Sequence, residues 1–318
     1  MKTITIVVPT YNEELNIRNV YERVCELFET KLQNYQMELL FIDNASHDST
    51  RSLIEELARK DVRVQAIFNA TNFGFSKSSF YGLSQAEGDA AVLMYADMQD
   101  PPEVIPKMVE EWEKGYRIVV GIKSKSRESK LMYFIRSIYY KLLTKISETE
   151  HIEHFDGFGL YDASFIKELR KLKDPLPYFR GLVAEIGYER AEVEYEQKRR
   201  EKGKTTFNFM RYYDVAMLGL TSSSKAVLRM ATFLGMGLSA VCVIIAILTL
   251  TLKLIYWDYY DVGTAAILIG IFFVGGVQTF FLGFLGEYIA NINVRTMQHP
   301  VVVEDRRFNM KRNSGDAE

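Results

Sequence analysis

Hydrophobic and polar positions along the first 125 residues fall into two alternating rhythms. Apolar runs of strand length recur at Thr3–Val8, Glu38–Ile42, Val64–Phe68, Ala90–Tyr95 and Arg117–Val120, short enough and β-branched enough to be buried strands. Between them, Glu14–Phe28, Ser49–Lys60, Ser76–Gln85 and Glu103–Lys114 read as helices. Asp48-Ser49 and Pro101-Pro102-Glu103 supply two of the helix starts. The order βαβαβαβαβ predicts a mostly parallel sheet with helices on both faces.

The pattern changes after residue 125. Ser124–Arg136 is polar and basic, with Lys125, Arg127, Lys130 and Arg136, and reads as a loop or interface strip. Met132–Ile146 and Phe165–Leu172 read as helices, and glycine interrupts Phe155–Tyr161. Two later runs, Ala231–Leu252 and Val262–Gly286, contain no charged side chain. Each is long enough for a helix to cross a hydrocarbon core about 30 Å thick. The expected organisation is a catalytic head over 1–206, an aromatic interfacial segment over 207–229, two membrane helices (231–254 and 262–286) within 230–290, and a tail over 291–318. The polar end of that tail, Glu304–Glu318, is expected to be disordered.

Charge sets an orientation for this hairpin. Arg211, Lys225 and Arg229 precede it, and Arg295, Arg306, Arg307, Lys311 and Arg312 follow it, whereas the turn Tyr256–Asp261 carries two aspartates and no base. Basic flanks stay in the cytoplasm, so the head and both termini are expected there. The opening apolar run meets Pro9 too soon to be a signal peptide. Cys25 and Cys242 fall in different regions and are not expected to pair, which fits a reducing compartment. A net charge of −2 gives no footprint for nucleic acid. The four histidines lack metal-ligand spacing, so a zinc site is not expected.

Ligands of open parallel sheets bind outside the carboxyl ends of the strands, and the polar clusters follow the strands. They are Pro9-Thr-Tyr-Asn-Glu-Glu14, Asp43-Asn-Ala-Ser-His-Asp48, Asn69–Gly74 and Asp97-Met-Gln-Asp-Pro-Pro102. Any one alone is ordinary turn chemistry; four at one end of a sheet form a candidate site.

Taken with Gly157-Phe-Gly-Leu-Tyr-Asp162, Arg200-Glu-Lys-Gly-Lys-Thr205, Gly275-Gly-Val-Gln278 and Leu285-Gly-Glu-Tyr288, these motifs give the sequence its resemblance to the family 2 glycosyltransferases. It is most similar to the polyprenyl-phosphate group that includes dolichol-phosphate mannose synthase. The resemblance implies a GT-A-like nucleotide-sugar-binding sheet followed by a two-helix transmembrane hairpin. By it, Pro9, Tyr11, Glu13, Asp43, Asn72 and Gly74 bind the nucleotide, with Asp43 accepting from the base. Asp97 and Gln99 hold Mg²⁺ or Mn²⁺ against the diphosphate, in keeping with hard oxygen ligands. Arg200 and Lys204, with Arg127 and Arg136 as weaker candidates, clamp phosphates. The implied reaction moves a hexose or N-acetylhexosamine from a nucleoside diphosphate, with uridine favoured, to polyprenyl phosphate at the bacterial cytoplasmic membrane. The anomeric centre inverts, and relatives with two spans point to a homo-tetramer among membrane lipid.

Two positions depart from the family pattern. Tyr95 stands where relatives carry an aspartate two residues before the metal aspartate, and Gly157 stands where they carry a candidate base. Asp156 is the nearest carboxylate to take over an orienting role, and Asp162 is the alternative. A lipid phosphate is already mostly dianionic at pH 7 and needs placement more than deprotonation. Rival readings are a processive polysaccharide synthase, which lacks its Gln-x-x-Arg-Trp motif here, and a silent nucleotide-sugar-binding scaffold, favoured by Tyr95 and Gly157.

Overall fold

The computed structural model describes residues 1–125, 152, 154–172, 174, 177–198, 217, 237, 241, 244, 248, 251, 255, 264–297 and 299–310. The first half follows the predicted alternation: β1 (Lys2–Thr10), α1 (Ile17–Thr30), β2 (Tyr35–Asp43), α2 (Thr50–Lys60), β3 (Val64–Asn69), α3 (Phe75–Gln85), β4 (Ala90–Leu93), α4 (Ile105–Glu113) and β5 (Ile118–Lys125). Then come β6 (Gly159–Asp162), α5 (Ala163–Lys171), α6 (Phe179–Glu185), β7 (Arg190–Glu196), α7 (Thr264–Thr296) and β8 (Glu304–Phe308).

The eight described strands form one sheet in the order β7-β5-β6-β4-β1-β2-β3-β8. The β1–β2, β2–β3, β1–β4 and β5–β7 pairs are parallel, while β6 and β8 run antiparallel to their neighbours. Apolar residues of α1, α2 and α4 pack on one face around Ile6, Leu39 and Val92. Those of α3, α5 and α6 pack on the other around Val7, Leu40 and Leu93. Adjacent strand residues point to opposite faces, so a strand covered on both sides must be apolar throughout. Ile4, Ile6, Val7 and Val8 of β1 are accordingly all inaccessible to solvent, and the polar Thr5 among them is buried with its hydroxyl donating to Glu38 at 2.7 Å. The predicted α/β class, the mostly parallel sheet and the helices on both faces are all present.

Three features differ from expectation. β7 and α6 had no sequence signature. β5 runs on to Lys125 because it pairs with β7 to Lys125 itself, through a register irregularity at Lys123/Lys125. The tail, expected to be disordered from Glu304, instead returns to the head as the edge strand β8 on β3. Its polar sequence is satisfied there: Glu304 accepts from Tyr81 at 2.8 Å, Arg307 donates to Gln85 at 2.9 Å, and Asn309 reaches the carbonyl of Val64 at 2.8 Å. Phe308 packs edge-on against Phe68, ring centres 5.9 Å apart.

The first apolar run and the predicted helix over Met132–Ile146 lie outside, or almost entirely outside, the described residues. The second run falls in α7, 33 residues long, which continues past residue 286 to Thr296. Among residues described in both backbone and side chain, no helix is long and apolar enough to cross a membrane. Just inside its C-terminus, Arg295 pairs with Asp174 at 3.2 Å.

Candidate active site

The loops after β1 and β2 are laced together by side chains that the turn motifs supply. The Asn12 amide donates to Ser46 Oγ and the Glu13 amide to Thr50 Oγ1, both at 2.8 Å. Asn12 Oδ1 accepts from the His47 amide at 2.9 Å. Asn16 Nδ2 donates to Glu13 at 2.6 Å and so fixes that carboxylate. Pro9 is buried at the end of β1, while Tyr11 and Glu13 are half-buried in the loop beyond it.

Asp43 ends β2 and is fully buried. Its Oδ2 accepts from the Ser46 amide at 3.1 Å and from Arg51 Nε at 2.7 Å. Its Oδ1 is shielded from solvent and has no hydrogen-bond partner among the described residues. An unsatisfied buried oxygen costs roughly 1–3 kcal/mol, a cost that an incoming N–H donor removes. Next to it, Asn44 Nδ2 donates to Asn72 Oδ1 at 2.7 Å, and the same Asn72 oxygen accepts from the Gly74 amide at 2.9 Å. Asn72 and Gly74 are thereby joined to the end of β2.

The loop after β4 builds the charged part of the site. Asp97 is half-buried and its Oδ1 accepts from the Gln99 amide at 3.2 Å. Asp100, nearly inaccessible, accepts from the Tyr195 hydroxyl of β7 at 2.5 Å. Lys123 on β5 forms an ion pair with Asp156 and lies 3.9 Å from Asp100. Burial first, and the Asp156 charge second, push the Asp100 carboxyl up to about 7, against the opposing pull of Lys123 and Tyr195. Burial also works against the Lys123 charge, but Asp156 and Asp100 outweigh it and hold its pKa above the usual lysine value.

Both departures from the family pattern meet in this cluster. The Tyr95 hydroxyl donates to the backbone carbonyl of Asp156 at 2.8 Å. Gly157 has φ +118, and a Cβ there would stand 2.6 Å from that hydroxyl. Asp162, the alternative carboxylate, serves elsewhere: it caps α5 by accepting from the Ser164 amide at 2.8 Å, and it accepts from Trp112 Nε1 at 2.8 Å. Asn12, Ala45, Met98 and His154 all adopt positive φ. Four such residues in or beside the loops of one edge concentrate backbone strain where functional sites commonly carry it.

The structure therefore gathers Pro9, Tyr11, Glu13, Asp43, Asn72, Gly74, Asp97, Gln99 and Asp156 at the carboxyl edge of the sheet. Arg127, Arg136, Arg200 and Lys204 lie outside the described residues. The approach to Arg200 is described, since the Lys198 amide donates to the Gln99 carbonyl at 2.9 Å. Sequence reasoning missed Lys123, Tyr195 and Arg51 as site residues, whereas Asp100 belongs to the polar cluster after β4 that it singled out. No group of three or more His, Cys, Asp or Glu suited to a metal occurs among the described residues. Asp97 and Gln99 still offer hard oxygen atoms on one turn, a donor set that suits a divalent cation completed by diphosphate and water.

The model of glycosyl transferase family 2 matches residues 5–170, which span Asp43, Asp97 and Asp156. The chain belongs to that family. This glycosyltransferase is 32% identical over 304 residues to a prophage bactoprenol glucosyl transferase homologue of Escherichia coli, covering 95% of this chain and 98% of the relative. It is 32% identical over 298 residues to the bactoprenol glucosyl transferase of Shigella phage SfV, covering 93% and 96%. An uncharacterised glycosyltransferase of Bacillus subtilis is 30% identical over 308 residues, covering 96% and 94%. In all three the similarity extends beyond the family model and over nearly the whole glycosyltransferase.

Proposed function

We propose that this glycosyltransferase moves a hexose from a nucleoside-diphosphate sugar to a polyprenyl phosphate at the cytoplasmic face of a bacterial membrane, with inversion. UDP-glucose and undecaprenyl phosphate are the pair to test first. The observation that carries the reading is the convergence of Asp43, Asp97, Asp156 and Lys123 on one edge of the sheet, in a chain similar over more than nine-tenths of its length to bactoprenol glucosyl transferases. The apolar runs support a membrane-held enzyme whose acceptor does not leave the bilayer.

In this reading the base and ribose lie along Pro9, Tyr11 and Glu13, and Asp43 Oδ1 accepts a base N–H. A divalent cation held by Asp97 and Gln99 would neutralise charge on the departing nucleoside diphosphate. Asp156, fixed by Lys123 and the Tyr95 hydroxyl, orients the acceptor, and Arg200 and Lys204 bind phosphate. An acceptor phosphate oxygen forms the new bond to the anomeric carbon as the bond to the diphosphate breaks. The electron pair leaves with the nucleotide. A dianionic phosphate needs no general base for this step, so a glycine at residue 157 is compatible with turnover.

The test is incubation of the full chain in lipid nanodiscs with labelled UDP-glucose, Mn²⁺ and undecaprenyl phosphate. A lipid-extractable monosaccharide supports the proposal. Polymer points to a processive synthase, and bound donor without product points to the silent scaffold that Tyr95 and Gly157 favour; either result overturns it.

A further inference from the structure

Arg51, in the first turn of α2, belongs to none of the motifs, yet it touches three strands. Its Nε donates to Asp43 Oδ2 at 2.7 Å and its Nη2 to the Asn69 carbonyl at 2.5 Å. Its guanidinium lies 5.4 Å from the centre of the Phe68 ring, and Nη1 is 3.5 Å from Asp305 Oδ2 on β8. The same ring is held from the far side of the chain: Phe308 meets it edge-on, and the Arg306 guanidinium lies 5.1 Å from its centre.

We propose that Arg51 is a positioning residue for the donor: it pins Asp43 so that Oδ1 is the oxygen offered to the nucleotide, and β8 braces it through Asp305. This rests on the reading above that Asp43 receives the nucleotide. A carboxylate can turn about its last bond and present either oxygen. With Oδ2 taken by Arg51 and the Ser46 amide, the turn is fixed, and Oδ1 is the atom left without a partner. A planar guanidinium can reach a carboxylate, a carbonyl and a second carboxylate at set angles while its face rests on a ring; a lysine ammonium cannot. Strand β8, which follows α7, thus forms part of the support of the donor pocket.

The test titrates UDP, and separately GDP, into the full chain in nanodiscs and measures donor KM and kcat for the wild type and for Arg51→Ala, Arg51→Lys, Asp305→Asn, Asp43→Asn and the Arg51→Ala/Asp43→Asn double variant. Thermal unfolding establishes which variants are folded. For the nucleotide that binds, Arg51→Ala is expected to lose about tenfold in affinity. Its donor KM should rise while kcat stays within about twofold. Arg51→Lys should lose about threefold and Asp305→Asn about twofold, steps of a charge pair partly or wholly removed. The double variant should bind no more weakly than Asp43→Asn, because nothing remains to be positioned. If Asp43→Asn weakens binding but folded Arg51→Lys and Asp305→Asn bind as the wild type does, the positioning role is overturned and the pocket stands. Should Asp43→Asn bind both nucleotides as tightly as the wild type, the pocket itself fails, and the proposal with it. Where Arg51→Ala does not fold, Arg51→Lys decides: undiminished affinity overturns the proposal and a loss supports it.

Discussion

The Tyr95 hydroxyl stands 2.6 Å from the place a side chain at residue 157 would begin, and Gly157 leaves that place empty. The two departures from the family pattern are therefore one contact. A tyrosine in place of the first aspartate fills the space beside Asp156 and binds its carbonyl, and a glycine in place of the second makes room for it. Gly157→Ala adds both a clash and a side chain at φ +118. It is expected to lower unfolding free energy by about 2–3 kcal/mol. Tyr95→Phe should recover part of that loss in the double variant, because it removes the clashing oxygen but not the backbone strain. Denaturant unfolding of the four proteins checks this; strictly additive losses contradict the contact.

Lys123 forms an ion pair with Asp156 and lies 3.9 Å from the almost wholly buried Asp100. Lys123→Met leaves the Asp156 carboxylate without its ion pair and should cost about 3 kcal/mol of stability. Turnover should fall by at least about 100-fold, the scale of losing a group that orients the reacting atoms. Adding Asp156→Asn should restore stability and leave activity low. Recovery of both would make the pair purely structural.

Asp97 is the one carboxylate expected to touch the cation. Chelation should stop turnover reversibly, and Asp97→Ala should remain at least about 100-fold slower at saturating Mg²⁺ or Mn²⁺, a loss comparable to removing one electrostatic stabiliser of a developing charge. Gln99→Ala should instead raise the metal concentration needed. Full activity of Asp97→Ala at saturating metal would remove that residue from the mechanism.

Asp162 illustrates a carboxylate assigned to architecture. Burial alone would raise its pKa, but the bonds from Ser164 and Trp112 prevail and hold it below the ordinary 3.8. The unfolded state then binds the proton more readily, so the stabilisation is present above about pH 4 and is lost as pH falls through the folded value. Asp162→Ala should be less stable by about 1 kcal/mol at neutral pH and should lack that part of the acid limb. Unfolding midpoints from pH 7 down to pH 2.5 test it, and turnover of the folded variant should be little changed.

The first half of the head was legible because periodicity and turn chemistry agree there. β1 to β4 each contain a largely apolar run, and each is followed by a polar cluster of the kind that stops a strand. β7 was not legible, since Arg190–Glu196 buries only Val193 and Tyr195 and charges fill the other positions except Ala191. β8 carries four charged residues in five and is held by cross-chain ion pairs and ring contacts that no local pattern announces. The same limit applies to the site. Asp43, Asp97 and Asp156 follow from motif and strand end, whereas Lys123 and Arg51 acquire their roles from partners distant in the chain. Tyr95 and Gly157 were visible as separate oddities; only their proximity relates them.

Because the chain re-enters the head after α7 to finish the sheet, the apolar portion is an insertion and not an appendage. A truncated enzyme ending near residue 206 would lack a strand and expose the hydrogen-bonding edge of β3, inviting association. A shorter form that keeps the sheet whole is better sought by splicing out the apolar portion and rejoining the ends. Whatever that portion carries is therefore tethered to the head at two points, through β7 before it and β8 after it, which limits how far the two can swing apart.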